Sequence, residues 1–171
     1  MNNIFKYIIF AIVFAVMGLV GYTVVIKKFY NNAPVQPINF SHKIHAGDNE
    51  VPCLYCHTYA DRSRHSGAPA VERCMGCHKI IKTDSPEIQK LAEYWNDKEP
   101  VPWIKVHNLP DYVYFPHKRH VKAKVDCKEC HGDVAKMPVV ERQASLKMGW
   151  CLSCHKKKEV KNGKDCWTCH M

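Results

Sequence analysis

Cys127-Lys128-Glu129-Cys130-His131 decides how the rest of this chain is read, because its pattern occurs five times. The other copies are Cys53-Leu54-Tyr55-Cys56-His57, Cys74-Met75-Gly76-Cys77-His78, Cys151-Leu152-Ser153-Cys154-His155 and Cys166-Trp167-Thr168-Cys169-His170. All ten cysteines fall in these copies, two in each. C-x-x-C-H is the attachment pattern of c-type haem. Two thiols reach two vinyl groups on one edge of the porphyrin, and the next residue is carried to the iron. The ten cysteines are thus the expected thioether positions of five haem c groups. His57, His78, His131, His155 and His170 are the expected proximal ligands.

Other uses of paired cysteines explain less. Zinc sites and thioredoxin-like redox sites need no histidine after every pair. Iron–sulfur clusters use thiolates and do not require the histidine. A disulfide framework has no reason to repeat one spacing five times.

Outside the apolar start of the chain about 145 residues remain, roughly 29 for each haem, too few to build an ordinary apolar core as well. The porphyrins are therefore expected to form the core. The fold class that follows is mostly irregular chain with short α-helices around haem. The formal charge is +9. Ten haem propionates would offset much of it, so nucleic-acid binding is set aside.

Tyr7 to Ile26 carries no charged residue. Twenty such residues span about 30 Å as a helix, the hydrocarbon thickness of a bilayer. Lys6, Lys27 and Lys28 flank the run. A cleaved signal peptide is the rival reading, but no A-x-A-like site follows the run. Residues 1–28 are thus expected to be an uncleaved anchor, residues 29–39 a proline-containing spacer, and residues 40–171 the haem domain. Haem is attached to this motif outside the bacterial cytoplasm. The expected location is therefore the inner membrane, single-pass, with the haem domain in the periplasm.

A second repeat underlies the first. Phe40-Ser41-His42-Lys43-Ile44-His45 precedes the Cys53 motif, and Phe115-Pro116-His117-Lys118-Arg119-His120 precedes the Cys127 motif. The chain divides into a two-haem module (40–78), a connecting segment (79–114) and a three-haem module (115–171). In the connecting segment, Ser85-Pro86-Glu87 is a helix start. Ile88, Leu91, Ala92 and Trp95 follow at helical spacing, as a packing face or a docking face. Tyr112-Val113-Tyr114-Phe115 is β-prone. Lys156–Lys158 and the Lys161–Lys164 stretch read as a solvated loop balancing propionates, with docking of an acidic redox partner as the alternative.

Six of the eleven histidines lie outside the haem motifs: His42, His45, His65, His107, His117 and His120. Histidines at i and i+3 project from one side of a helical turn and can reach two irons. His42, His45, His117 and His120 are thus expected distal ligands. The fifth distal position lies between His107, which has the same ligand type as the others, and Met148, three residues before Cys151. His65 sits in a polar, flexible run.

The F-x-H-x-x-H segments ahead of C-x-x-C-H resemble the small multihaem cytochromes of the c3 and c7 class. A fuller resemblance covers nearly the whole chain. It runs through the N-terminal anchor, Ser66-Gly67-Ala68-Pro69, Cys74–His78, Val106-His107-Asn108-Leu109-Pro110-Asp111, Tyr114–His120 and Met148-Gly149-Trp150-Cys151. These stretches look like the membrane-anchored pentahaem cytochrome c subunit (ActA) of alternative complex III, a quinol-oxidising respiratory complex. The resemblance implies an iron–sulfur subunit and polytopic quinone-binding subunits as partners, and a monohaem cytochrome c or terminal oxidase as acceptor. It implies an electron-transfer subunit with no catalytic residue of its own. His65 is not a ligand position associated with that family. The competing reading is a stand-alone membrane-anchored multihaem quinol dehydrogenase feeding a periplasmic reductase. A sensor or structural multihaem protein comes third.

Overall fold

The computed structural model describes residues 3–170, with the backbone alone for residues 27–31. Among them the chain is helical or irregular, with no strand, as the shortage of residues per haem motif requires.

Helix α1 (Asn3–Asn32) begins the chain. Its Asn3–Ile26 part is long and apolar enough to cross a membrane, and none of it is buried among the described residues. The Thr23 hydroxyl within that part donates to the Val20 carbonyl at 2.9 Å and so needs no water. The side chains of Lys27 and Lys28, read as flanking the apolar run, lie outside the described residues. The helix runs past the expected end of the anchor. The segment after it is docked rather than free. Ala33 and Ile38 are buried. The Gln36 amide both donates to the Ile104 carbonyl and accepts from its N–H, each at 2.9 Å.

The ordinary apolar core is small. Ile38, Val71, Met75, Leu91 and Val101 form it, with Ile88, Ala92, Tyr94, Trp95 and Trp103 packed around. It lies between α3 (Val71–His78) and α4 (Pro86–Asn96). The stripe on α4 therefore faces a core of side chains, the packing face of the two readings. Proline stands at the first turn of α4 as read. The Ser85 side chain makes no capping bond. The Glu87 carboxylate instead accepts the Asn39 N–H at 2.7 Å and pairs with Lys90.

Every other element is a short turn around a motif. They are a π-helical turn (Lys43–Asp48), α2 (Cys53–Cys56), α5 (His117–Lys122), α6 (Lys128–His131), a 3₁₀ turn (Val134–Lys136), α7 (Met148–Lys157) and α8 (Cys166–Cys169). No apolar side chain between residues 115 and 170 is buried by protein. The β-prone run before Phe115 forms no strand; Tyr114 donates one backbone bond to the Cys169 carbonyl at 2.7 Å.

The two modules touch through backbone. The π-helical turn packs against the 3₁₀ turn that follows His131, and the Lys43 N–H donates to the Met137 carbonyl at 3.0 Å. A Cβ on Gly47 would run into the Ala135 carbonyl, so this approach requires glycine.

Candidate functional site

The ten cysteines stand at or near the surface, on or at the ends of α2, α3, α6, α7 and α8. Four of the five motif histidines face a second imidazole. Ring centres lie 6.4 Å apart for His57 and His42, 6.0 Å for His78 and His45, 6.4 Å for His131 and His117, and 6.1 Å for His155 and His120. An imidazole nitrogen binds a transition metal at about 2 Å and stands about 1 Å from its ring centre. Two rings sharing one metal atom therefore have centres about 6 Å apart. The planes meet at 2°, 65°, 12° and 27°. Rotation about the shared axis changes that angle without changing the spacing. The residues present thus fit an iron between each pair.

The second ring nitrogen supports this. A histidine that binds metal through one nitrogen donates its other N–H to a fixed acceptor, which sets tautomer and orientation. The Nδ1 of His57 faces the Gly67 carbonyl at 2.7 Å, that of His78 the Ile81 carbonyl at 3.0 Å, and that of His170 the Tyr112 carbonyl at 3.2 Å. His155 bonds the Gly163 carbonyl in the same way. On the opposing side, His45 bonds Ser41, His117 bonds Arg64 and His120 bonds Pro116, at 2.8, 3.0 and 3.2 Å. In each of these rings it is Nδ1 that is engaged, so Nε2 is the nitrogen that could bind iron. The exception is His42, whose Nδ1 is buried with no partner.

The repeat seen in the sequence is a repeat in space. Phe40 stacks on His45 at 4.4 Å and meets His42 edge-on at 4.8 Å. Phe115 does the same to His120 at 4.4 Å and His117 at 4.9 Å. One phenyl ring thus packs against two imidazoles, the role of the leading phenylalanine that the histidine spacing alone did not show.

Burial, then the neighbouring His57 and His45, hold His42 down at about 4. Burial, followed by His107 and His117, does the same to His131, also at about 4. Burial lowers His107 and His120 too. All four are neutral at pH 7, the state in which imidazole binds metal. Burial also raises the Cys56, Cys74, Cys127, Cys130 and Cys151 thiols.

The two candidates for the fifth distal position lie apart. The His107 Nε2 is 3.3 Å from the Nδ1 of His131, with ring centres 4.3 Å apart and planes at 74°. Met148 opens α7 and is exposed, one helical turn before Cys151. His65 is exposed. The backbone on its N-terminal side is used, since Ser63 and Arg64 carbonyls accept the Lys118 and His117 N–H groups at 3.1 and 3.2 Å.

Residues 113–171 match the family described as cytochrome c7 and related cytochrome c. Over 161 aligned residues the chain is 30% identical to the multihaem cytochrome c subunit of a menaquinone reductase from Nitratidesulfovibrio vulgaris, covering 79% of this chain and 76% of that one. With opposed imidazoles, anchored second nitrogens and these similarities together, the chain belongs to the multihaem c-type cytochromes, proteins that carry electrons on covalently bound haem c.

Proposed function

We propose that the chain binds five haem c groups and serves as the electron-transfer subunit of a quinone-linked membrane complex of the alternative complex III type. The observation that carries this reading is the set of four opposed histidine pairs beside five intact motifs. Haem supplies the one-electron couple; the chain's residues fix its axial ligands and surroundings. His42, His45, His117 and His120 are the distal ligands of the haems of His57, His78, His131 and His155. The haem of His170 takes Met148. Of the two candidates, His107 has its Nε2 turned to His131, which leaves Met148. The apolar part of α1 crosses the inner membrane and places the haems in the periplasm. Iron–sulfur and polytopic quinone-binding subunits accompany it, and a monohaem cytochrome or a terminal oxidase exchanges electrons with it.

Quinol oxidation is the direction expected from the resemblance to alternative complex III. The name of the Nitratidesulfovibrio vulgaris relative favours a second reading, electron flow toward menaquinone. Purification in mild detergent, followed by mixing with a menaquinol analogue or with a reduced periplasmic cytochrome, separates the two. Rapid haem reduction by menaquinol in the intact complex supports the first direction. Haem reduction by the cytochrome alone, with menaquinone then consumed, supports the second. Rapid reduction of the isolated chain by menaquinol would replace both with a stand-alone quinol dehydrogenase.

A further inference from the structure

Each motif histidine has its Nδ1 beside an acceptor, and in four cases that acceptor is a backbone carbonyl. His131 alone among the five is matched to a side chain, His107. We propose that His107 is a positioning residue for the haem of His131, accepting the Nδ1–H of that proximal imidazole and thereby holding the haem's midpoint potential down.

The geometry separates this role from ligation. Rings that share a metal lie 6.0–6.4 Å apart here, whereas His107 and His131 are 4.3 Å apart, too close for an iron between them. The near contact is at Nδ1 of His131, the nitrogen turned away from iron, and the other face of that iron site is filled by His117. His131 Nε2 is committed to iron, so its Nδ1 carries the proton and donates, and His107 Nε2 accepts. An acceptor at the second nitrogen makes the imidazole a stronger donor to the metal, which favours the ferric state.

The position gives the bond a consequence. The His131 haem site lies where the modules meet. Its distal ligand His117 hangs from the Arg64 carbonyl, three residues before the Gly67 carbonyl that holds His57. His107 comes from the connecting segment. Three parts of the chain therefore converge on one haem, and the part contributed by the connecting segment is a single replaceable side chain.

This inference rests on the haem-binding reading above, and the test keeps the two apart. The full-length haem-loaded protein is prepared as parent, His107→Leu and His107→Gln. Each is weighed intact under denaturing conditions and titrated with haem-resolved NMR and EPR. Five haems in all three, all low-spin, with one midpoint raised in His107→Leu and the other four unmoved, is the expected result. In His107→Gln the amide oxygen accepts the same N–H, and the raised midpoint returns toward the parent value. Five unmoved midpoints in His107→Leu would overturn the inference, as would a glutamine variant that shifts as far as the leucine one. A high-spin haem in His107→Leu would make His107 a ligand instead. Fewer than five haems in the parent would sink the haem count, not the hydrogen bond. Should His107→Leu fail to mature, nitrogen–nitrogen coupling between the His131 and His107 imidazoles in labelled parent protein decides; its absence overturns the bond.

Discussion

The two Phe-x-His-Lys-x-His segments place their rings alike but stand in unlike surroundings. Phe40 packs toward Trp103, at the margin of the apolar core formed among the described residues. Phe115 opens a region of more than fifty residues in which no apolar side chain is buried by other protein atoms. The same histidine turn therefore stands once beside a conventional apolar core and once in a region without one. A local device of three residues, one phenyl and two imidazoles, works in both because its geometry is set within a single turn.

The largest effects should come from removing a haem on either side of that divide. Cys127→Ala with Cys130→Ala leaves 115–171 without one of the groups that stand in for its core, and this region should unfold as a unit. Cys74→Ala with Cys77→Ala removes a haem beside α3, where the apolar side chains around Leu91 remain. Limited proteolysis with intact mass should show cleavage within 115–171 faster by on the order of tenfold or more in the first variant than in the second. Equal protection in both would mean that the C-terminal region has a stability source independent of haem.

A smaller effect tests the scaffold from the protein side. Leu91 is 4% exposed, the most buried apolar residue. Leu91→Ala should cost about 2–5 kcal/mol in the 33–101 region. Hydrogen exchange should speed up along α3 and α4, while amides of α5 to α8 keep their protection. A uniform loss across the chain would show that the modules unfold together and that the contrast between them has no energetic meaning.

Single distal ligands come next. His42→Ala and His117→Ala should each leave all haems attached, since the thioether cysteines are intact, and each should create one high-spin haem. The His117 variant should also loosen the loop at Arg64, whose carbonyl loses the imidazole and keeps only the backbone N–H of residue 117. High-spin signal absent in either variant would remove that residue from the set of distal ligands.

What was legible in the sequence follows the range of the interaction. The C-x-x-C-H turns and the i, i+3 histidine pairs are local, so spacing alone pointed to them, and the helix over Pro86–Asn96 showed in its apolar period. The acceptors at Nδ1 were not legible. A backbone carbonyl can come from any residue, and Gly67, Arg64 and Tyr112 carry no mark of that use. His107 was singled out, but its contact with His131 spans 24 positions, and nothing in Val106-His107-Asn108 says which nitrogen of which imidazole it meets. The Tyr112–Phe115 run shows the converse failure. Its β-propensity is plain, yet with no strand beside it among the described residues its N–H groups go to a turn, Val113 to Pro110, and to a single long-range partner, Tyr114 to Cys169.

The smallest expected difference lies between the two first histidines of the repeat. The His117 Nδ1–H donates to the Arg64 carbonyl, and Arg64 is itself held by its guanidinium over the Tyr114 ring at 4.0 Å. The His42 Nδ1 is buried and bonded to nothing. A donated hydrogen bond makes an imidazole a stronger ligand for ferric iron, so the His57–His42 haem should have the higher midpoint of the two. A neutral hydrogen bond contributes about 1 kcal/mol, and only part of it differs between oxidation states. For a one-electron couple that caps the distal contribution at roughly 40 mV. The proximal sides also differ, with Gly67 on His57 and His107 on His131. The cleanest comparison is therefore made in the His107→Gln background, where both proximal histidines face a carbonyl-type oxygen. Haem-resolved titration there should still find the His57–His42 haem higher. The reverse order would mean that the unpartnered nitrogen of His42 acquires a strong acceptor once haem is bound, and the two copies of the turn would then be equivalent in chemistry as well as in shape.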